Sequence, residues 1–276
     1  MNDERKMAGR RVLVSGSDTG IGRGVALEFA RAGAAVALHY PLEAAGAQSA
    51  VDEIRQAGGT AQAFHANFND LAQVRGLAAQ AIEFLGGLDV LVNNAGITMN
   101  LPFEQVTPEQ FDTLYNVNIR GMFFLTQAAL PALSEKRQGV VINLASIHAF
   151  AGMTEHTVYA GTKGAIMAFT RVLALELSQK GVRVNAIAPG WILVENHLKA
   201  MVNFDEAASA AAIPAGFIAR PADLGRLAIF LASDDARYFV GQTLQFDGGQ
   251  SAIMPLTGDF REPRQEKYGR GYVPGL

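Results

Sequence analysis

The sequence contains no cysteine, so disulfide bonds and thiolate nucleophiles are excluded. It also has no marked excess of one charge, because the formal net charge is −3. No basic stripe is present, which argues against nucleic acid as a partner. No apolar run is long enough to span a bilayer, and the polar start lacks a leader-like apolar segment. We therefore expect a soluble cytoplasmic protein without a membrane partner, and we identify no metal site.

Hydrophobic residues make up 49% and charged residues 18% of the 276-residue chain, which is enough for a sizeable core. Short apolar runs alternate with helical periodicity, which predicts a parallel sheet covered by helices on both faces. The predicted strands cover residues 11–15, 34–38, 61–66, 88–92, 139–144, 182–188 and 243–246. Right-handed crossovers predict a single α/β domain of the doubly wound Rossmann type over residues 1–276. Residues 8–253 form its predicted core, and residues 254–276 form a C-terminal extension.

A glycine-rich turn follows the first predicted strand and precedes a predicted helix at residues 23–32. Strand, turn and helix in this order are the context of a dinucleotide-binding fingerprint. Gly16 would permit a tight turn, Gly20 would let the backbone approach a pyrophosphate, and Gly22 would let the helix pack closely on the strand. The helix amino terminus would then offer free N–H groups to phosphate. The alternative is an ordinary strand–turn–helix joint.

Helix starts are also signalled by capping residues. Asp70 with Gln73 predicts the start of a helix that runs to residue 85. Thr107, Pro108 and Gln110 predict the capped start of a long helix that runs to about residue 133. Asparagine is unfavourable inside a helix, and Asn118 close to Gly121 predicts a local kink there. The remaining predicted helices cover residues 44–57, 157–180 and 221–232.

The most informative stretch is residues 143–163, which join a buried strand to a helix. Ser146 follows the strand, and Tyr159 and Lys163 lie four residues apart, on one helix face. An ammonium group favours the phenolate form of a nearby tyrosine and lowers its pKa. Such a tyrosine can exchange a proton with a carbonyl or alcohol oxygen, and Ser146 can add a hydrogen bond to that oxygen. Tyrosine and lysine at this spacing also occur on ordinary solvated helices.

These motifs together resemble the classical short-chain dehydrogenase/reductase family over about residues 8–253. The resemblance is carried by Gly16-x3-Gly20-x-Gly22, Asn93-Asn94-Ala95-Gly96, Asn118, Ser146, Tyr159-x3-Lys163, Pro189-Gly190 and Asp247-Gly248-Gly249. It implies an enzyme that uses a nicotinamide cofactor to interconvert a small-molecule secondary alcohol and a ketone. Tyr159 would be its acid/base and Ser146 its oxyanion partner. Lys163 would lower the pKa of the tyrosine and bind the nicotinamide ribose, and Asn118 would hold a water that relays protons.

The resemblance also implies a set of cofactor contacts. They are Gly16, Ser17, Asp18, Thr19, Gly20, Ile21, Gly22, Tyr40, Asn67, Phe68, Asn94, Ala95, Gly96, Tyr159, Lys163, Pro189, Gly190 and Ile192. Three positions depart from the common pattern without removing the site: Ser15 replaces threonine, Asn67 replaces aspartate and Val194 replaces threonine. Tyr40 stands where an aspartate would favour NAD, whereas Asp18 would repel a 2′-phosphate. These signals conflict, and we expect NAD(P) with a slight preference for NADP.

The substrate is less well specified. Ser146-Ile147-His148 resembles a run in bacterial glucose dehydrogenases of the family, and similar runs occur in its hydroxybutyrate dehydrogenases. The candidate substrate contacts are Thr98, Ser146, His148, His156, Tyr159 and Trp191. They suit a sugar, sugar acid or polyol, although His148 is equally interpretable as a bonded loop histidine. The alternatives are a 3-oxoacyl-thioester reductase and, in another class, a non-catalytic NAD(P)-sensing protein.

Three expectations concern features around this core. The predicted helices at residues 107–133 and 157–180 carry apolar side chains on more than one side, and the family resemblance predicts a homotetramer. Those side chains include Phe123, Phe124, Ile166, Phe169 and Leu173. Residues 193–217 are rich in alanine and would form a mobile helical lid, or else an ordinary surface helix pair. Residues 255–276 would be partly ordered against a neighbouring subunit, the alternative being a disordered end.

Overall fold

The computed structural model describes residues 6–201, 203–253 and Arg261. Its strands, β1 to β7, are Arg11–Val14, Ala35–Tyr40, Ala61–His65, Val90–Asn93, Gly139–Leu144, Val182–Pro189 and Thr243–Phe246. They form one seven-stranded sheet in the order β3-β2-β1-β4-β5-β6-β7. Every neighbouring pair is parallel. The predicted doubly wound parallel sheet is therefore confirmed.

The helices of the described part, α1 to α9, are Gly20–Arg31, Ala44–Gln56, Leu71–Leu85, Pro108–Tyr115, Met122–Glu135, Thr157–Ser178, Glu195–Ala200, Glu206–Ala211 and Pro221–Ala232. Helices α1, α2 and α9 cover one face of the sheet, and α3, α5 and α6 cover the other. The alternation of side chains along each strand creates these two cores. In β1, for example, Val12 and Val14 belong to the first core and Leu13 to the second. Burial on both faces explains why the strands are continuous apolar runs.

The predicted helix starts are confirmed. The Asp70 carboxylate accepts hydrogen bonds from the backbone N–H groups of Ala72 and Gln73, at 2.8 and 3.4 Å. Thr107 and Gln110 form a reciprocal capping box with proline at the first helical position. Each cap satisfies N–H groups that have no partner inside the helix.

Two helix predictions need correction. The helix predicted to run without interruption over 107–133 is divided into α4 and α5 by a π-helical segment, Asn116–Gly121. A π segment inserts an extra residue into a helix turn and rotates the following side chains, which explains the predicted kink at Asn118. Helix α1 begins at Gly20 rather than Arg23, so two glycines of the motif lie in its first turn.

The parallel arrangement places the carboxyl ends of all seven strands at one edge of the sheet, which we call the ligand edge. The glycine-rich turn follows β1, Asn94 follows β4 and Ser146 follows β5 at this edge. Strands β1 and β4 are neighbours although they are not consecutive, so the strand order reverses between them. Open α/β sheets bind ligands in the crevice at such a reversal.

Two of the peripheral predictions concern residues 193–217 and the chain end. The first segment contains the short helices α7 and α8. Residues 254–260 and 262–276 lie outside the described residues, so the proposed packing of the tail stays a prediction. The Arg261 guanidinium donates to the carbonyl oxygens of Ala211 and Ile213. None of the helices in the described ranges is both long and apolar enough to cross a membrane.

Apolar side chains are exposed on the α4–α6 side of the molecule. Phe111 is 43% exposed, Val172 56% and Leu175 72%. Of the apolar side chains named for these helices, Ile166 is buried, at 3% exposure. Phe123 packs on Phe169, with ring centroids 5.9 Å apart. These helices therefore carry exposed apolar side chains as well as buried ones, as predicted.

We expect a homotetramer in which this side of α6 is covered by a second subunit. Leu175→Glu should lower the mass seen by light scattering at micromolar concentration, because it places a charge where an apolar contact forms. Leu42→Glu is the matched control, since Leu42 is 82% exposed before α2, away from these helices. A wild-type mass equal to the 29.4 kDa chain would contradict the tetramer. An unchanged mass for Leu175→Glu would rule out this helix face.

Candidate active site

The glycine-rich turn has a shape that only glycine permits at two positions. Gly16 has φ of 60°, and a Cβ there would lie 2.8 Å from the Cα of Ala95. A Cβ on Gly22 would overlap the carbonyl oxygen of Gly16 and the side-chain nitrogen of Asn94. The turn, the first turn of α1 and the loop after β4 are therefore packed backbone against backbone.

The amino terminus of α1 fits a phosphate group. Thr19 is its N-cap residue, and the threonine side chain makes no capping hydrogen bond. The first turn also contains no acidic residue. Asp70, by contrast, caps α3 with its own carboxylate. The first-turn N–H groups of α1 thus lack a capping side chain. They lie at the ligand edge, where they and the positive end of the helix dipole would bind a pyrophosphate.

His39 is a residue of this site that the sequence analysis did not select. It lies in β2, is 1% exposed, and its Nδ1 accepts a 2.8 Å hydrogen bond from the backbone N–H of Gly16. Its Nε2 lies 2.8 Å from the carbonyl oxygen of Ala66. Burial lowers the pKa of His39 to about 4, so the imidazole is neutral near pH 7. The available signal was a lone histidine near the carboxyl end of the apolar strand that follows α1.

The loop after β4 is fixed to the turn by side-chain hydrogen bonds. The Asn94 amide donates to the carbonyl oxygens of Ser15 and Gly16, at 3.0 and 2.7 Å. The Ser15 hydroxyl accepts from the backbone N–H groups of Asn94 and Ala95, each at 3.0 Å. Serine therefore supplies a hydroxyl acceptor at the position where threonine is usual.

Ser146, Tyr159 and Lys163 converge at the end of β5. Lys163 is 6% exposed, and its Nζ donates to the carbonyl oxygen of Leu144 at 2.8 Å and lies 5.5 Å from the centroid of the Tyr159 ring. Burial lowers the pKa of Lys163 to about 8. Burial also raises the pKa of Tyr159, and its hydrogen bond with Ser146 opposes that shift only in part. The predicted lowering of the tyrosine pKa by the lysine is thus not the dominant effect here.

Asn118 occupies the π-helical segment and is 1% exposed. Its Oδ1 accepts from the N–H of Ile97 at 2.8 Å, and its Nδ2 donates to the carbonyl oxygen of Ile97 at 2.9 Å. The same Nδ2 donates to the Thr162 hydroxyl at 3.1 Å, and that hydroxyl donates to the carbonyl oxygen of Tyr159 at 2.7 Å. Asn118 therefore connects the loop after β4 to the helix that carries the tyrosine.

Two histidines lie beside Tyr159. The rings of His148 and His156 are stacked with centroids 4.9 Å apart, and His148 meets Tyr159 edge-on at 5.5 Å. The His156 Nδ1 donates to the carbonyl oxygen of Thr154 at 2.8 Å. The His148 Nδ1 is buried and has no hydrogen-bond partner among the described residues. Burial, with a smaller effect of His156, lowers the pKa of His148, so this imidazole is uncharged near pH 7.

The other predicted contacts are more dispersed. Tyr40 ends β2 with its ring 5.5 Å from that of His65, and Asn67 is exposed just after β3. Phe68 is 3% exposed and packs inward, with its ring 4.7 Å from His39. Thr98 is exposed in the loop after β4. Ser17 and Ile192 are buried. Pro189 is the last residue of β6, and Gly190 follows it.

Trp191 is directed away from the histidine pair. Its ring meets Phe204 at 5.9 Å, and it lines a cavity of about 320 Å³ with Ile213, Phe217 and Phe246. Ser146 and Tyr159 do not line this cavity. The structure thus brings His148, His156, Ser146 and Tyr159 together, whereas Trp191 lines a separate cavity.

Three comparisons with known proteins identify relatives of this chain. A family model described as enoyl-(acyl carrier protein) reductase matches residues 16–251. An uncharacterised oxidoreductase of Methylorubrum extorquens is 39% identical over 88% of this chain and 98% of its own length. The 3-oxoacyl-[acyl-carrier-protein] reductase FabG of Staphylococcus aureus is 34% identical over 87% of this chain and 97% of its own length. A short-chain dehydrogenase of Burkholderia cenocepacia, crystallised with NADP, has a TM-score of 0.83 and 30% identity over 90% of this chain and 100% of its own length.

We expect Gly22→Ala to weaken cofactor binding, because the added methyl group would displace the carbonyl of Gly16 from the turn. The loss should be at least tenfold in Kd for NADPH by fluorescence titration, since about 1.4 kcal/mol corresponds to tenfold. Gly76→Ala is the matched control. Gly76 lies within α3, where a Cβ would meet nothing nearer than 3.7 Å, and the change should stabilise the protein by roughly 0.5–1 kcal/mol. Equal NADPH affinity in the two variants would contradict the assigned role of the turn.

Proposed function

The chain belongs to the short-chain dehydrogenase/reductase family, and on that premise we propose that it interconverts a secondary alcohol and a ketone with NAD(P). The observation that carries this proposal is the convergence of Ser146, Tyr159 and Lys163 beside a turn suited to a dinucleotide. The cofactor would supply the hydride, and the protein would supply orientation and proton transfer.

The proposed roles follow from the contacts of each group. The Tyr159 hydroxyl gives its proton to the carbonyl oxygen of the ketone as that oxygen gains negative charge. Since burial raises the pKa of Tyr159, the phenol keeps its proton near pH 7, which suits this acid role in reduction. The Ser146 hydroxyl donates a hydrogen bond to the same oxygen. Lys163 would contact the nicotinamide ribose, and Asn118 would hold the relay water.

The cofactor would lie along the ligand edge. Its pyrophosphate would sit on the first-turn N–H groups of α1, and its adenosine half would lie near the ends of β2 and β3. We propose a preference for NADP, because Tyr40 replaces the carboxylate that would bind a 2′-hydroxyl and repel a 2′-phosphate. The NADP complex of the Burkholderia relative supports this choice.

The substrate is proposed to be a sugar, sugar acid or polyol. The His148 ring lies edge-on to the reacting tyrosine at 5.5 Å, so an imidazole nitrogen there would bond to a second substrate oxygen. Because His148 is uncharged near pH 7, it suits a hydroxyl or carbonyl oxygen better than a carboxylate. Among the proposed substrates, neutral sugars and polyols are therefore favoured over sugar acids.

A second candidate is reduction of a 3-oxoacyl thioester. It is favoured by the similarity to the Staphylococcus reductase, which extends over 97% of that protein. A 3-oxoacyl thioester also carries a second, uncharged oxygen near the ketone, so the His148 contact alone does not separate the two substrates.

An assay that measures oxidation or reduction of the nicotinamide by its absorbance would separate these candidates. We expect turnover on neutral sugars, polyols or their ketones. Hydroxy acids and a 3-oxoacyl thioester are the comparison substrates, and each substrate is tested with both cofactors. Turnover of the thioester alone would establish the second candidate. Absence of turnover across the whole panel would contradict an enzymatic function.

On the best substrate, Tyr159→Phe should lower turnover by about 10²–10⁴-fold, because it removes only the hydroxyl that transfers the proton. Cofactor affinity and melting temperature should be retained. Tyr238→Phe is the control, since that tyrosine is 97% exposed. Near-normal activity of Tyr159→Phe would show that another group moves the proton.

Tyr40→Asp should shift preference toward NAD, because it offers a carboxylate to the 2′-hydroxyl and repels a 2′-phosphate. The measurement is the ratio of kcat/KM for NADP to that for NAD, which should fall roughly tenfold or more. Tyr40→Asn introduces a side chain of nearly the same shape as Tyr40→Asp but without the charge, so it should change the ratio less. No change, or a shift toward NADP, would place the 2′-position away from the end of β2.

A further inference from the structure

We propose that His39 is a positioning residue for the cofactor: its Nδ1 holds the peptide of Gly16 so that the glycine-rich turn keeps the shape that receives a pyrophosphate. The inference rests on the proposed binding of NAD(P) and adds a residue that the family motif does not contain. The His39 side chain itself would touch neither the substrate nor the reacting atoms.

The hydrogen bonds of His39 define which tautomer is present. A carbonyl oxygen only accepts, so the Nε2 that lies 2.8 Å from the Ala66 oxygen must carry the proton. A backbone N–H only donates, so the Nδ1 that faces Gly16 at 2.8 Å must be unprotonated. The imidazole is therefore neutral, and both of its nitrogens are bound.

His39 is joined to the turn by its backbone as well. The N–H of Ser17 donates to the carbonyl oxygen of His39 at 2.8 Å. The N–H of His39 donates to the Ser17 hydroxyl at 2.9 Å, and that hydroxyl donates to the carbonyl oxygen of Val14 at 2.8 Å. The strand would thus remain attached to the turn if the imidazole were replaced. What the imidazole adds is the acceptor for Gly16.

That acceptor determines the orientation of one peptide group. The Gly16 N–H points into the protein toward His39, and the Gly16 carbonyl oxygen accepts from Asn94 at 2.7 Å. Gly16 has φ of 60°. The chain that follows it enters α1, whose first-turn N–H groups have no side-chain cap. Without the Nδ1 acceptor, the partly buried N–H of Gly16 would lose its partner, and a rotated peptide would misdirect the N–H groups that follow.

The second hydrogen bond, from Nε2 to the carbonyl oxygen of Ala66, holds the ring against the residues that follow β3. Ala66 directly follows β3, and the neighbouring Phe68 packs on the imidazole at 4.7 Å. Asn67 lies between these two residues. One neutral ring thus connects the proposed pyrophosphate site with the segment proposed to meet the adenine.

The test uses substitutions that keep one hydrogen bond at a time. In His39→Asn the amide oxygen takes the place of Nδ1, so the acceptor for Gly16 is kept and the donor to Ala66 is lost. In His39→Gln the amide reaches the position of Nε2, so the donor is kept and the acceptor at the Nδ1 position is lost. His39→Leu loses both. Tyr238→Phe is the control, because Tyr238 is 97% exposed in the loop before β7, away from the strand ends that form the ligand edge.

Fluorescence titration with NADPH is the readout, with melting temperature measured in parallel. We expect wild type, His39→Asn and Tyr238→Phe to agree within roughly threefold in Kd, and His39→Gln and His39→Leu to bind roughly tenfold more weakly or worse. The kcat at saturating NADPH should be nearly unchanged in all variants, so that the loss appears in KM for the cofactor.

Equal affinity losses in His39→Asn and His39→Gln, or losses that follow the melting temperature, would show that His39 is only structural and would overturn the inference. The Asn and Gln variants decide this even where His39→Leu does not fold. Failure of the wild-type protein to bind either NADPH or NADH would instead overturn the proposed function, and this inference with it.

Discussion

The whole site depends on the common direction of the seven strands. Because every neighbouring pair is parallel, each strand delivers its following residues to the ligand edge. Residues that are far apart in the chain, such as Gly16, Asn94 and Ser146, meet there. The reversal of strand order between β1 and β4 leaves an open crevice at that place, which no helix crossover covers.

A second constraint comes from the burial of polar side chains. Lys163, Asn118 and His39 are all nearly inaccessible to solvent, and each would be costly without a partner. Each one bonds to a backbone carbonyl at or just beyond the end of a strand: Leu144 for the lysine, Ile97 for the asparagine and Ala66 for the histidine. The same strand ends that carry the site therefore also satisfy its polar side chains.

The local parts of the fold were predictable from neighbouring residues. Asp70 and Thr107 were identified as helix caps because a cap depends on residues within one turn. The strands were identified because burial on both faces requires an apolar run. The division of the helix at Asn116–Gly121 was predicted only as a kink, since the π segment is held by the bonds of Asn118 to Ile97 and Thr162. Periodicity alone did not tell which side of α6 is covered: Ile166 is buried, whereas Leu175 is 72% exposed.

The sequence by itself determined the parallel α/β architecture and the residue types available for proton transfer at Ser146, Tyr159 and Lys163. Only the tertiary structure decided the direction in which the pKa of Tyr159 moves, because desolvation by distant parts of the chain outweighs the neighbouring groups. The same holds for His39, whose tautomer is determined by Gly16, 23 residues away, and Ala66, 27 residues away. Spacing along the chain tells which groups can share a helix face, whereas burial and hydrogen-bond partners depend on segments that only folding brings together.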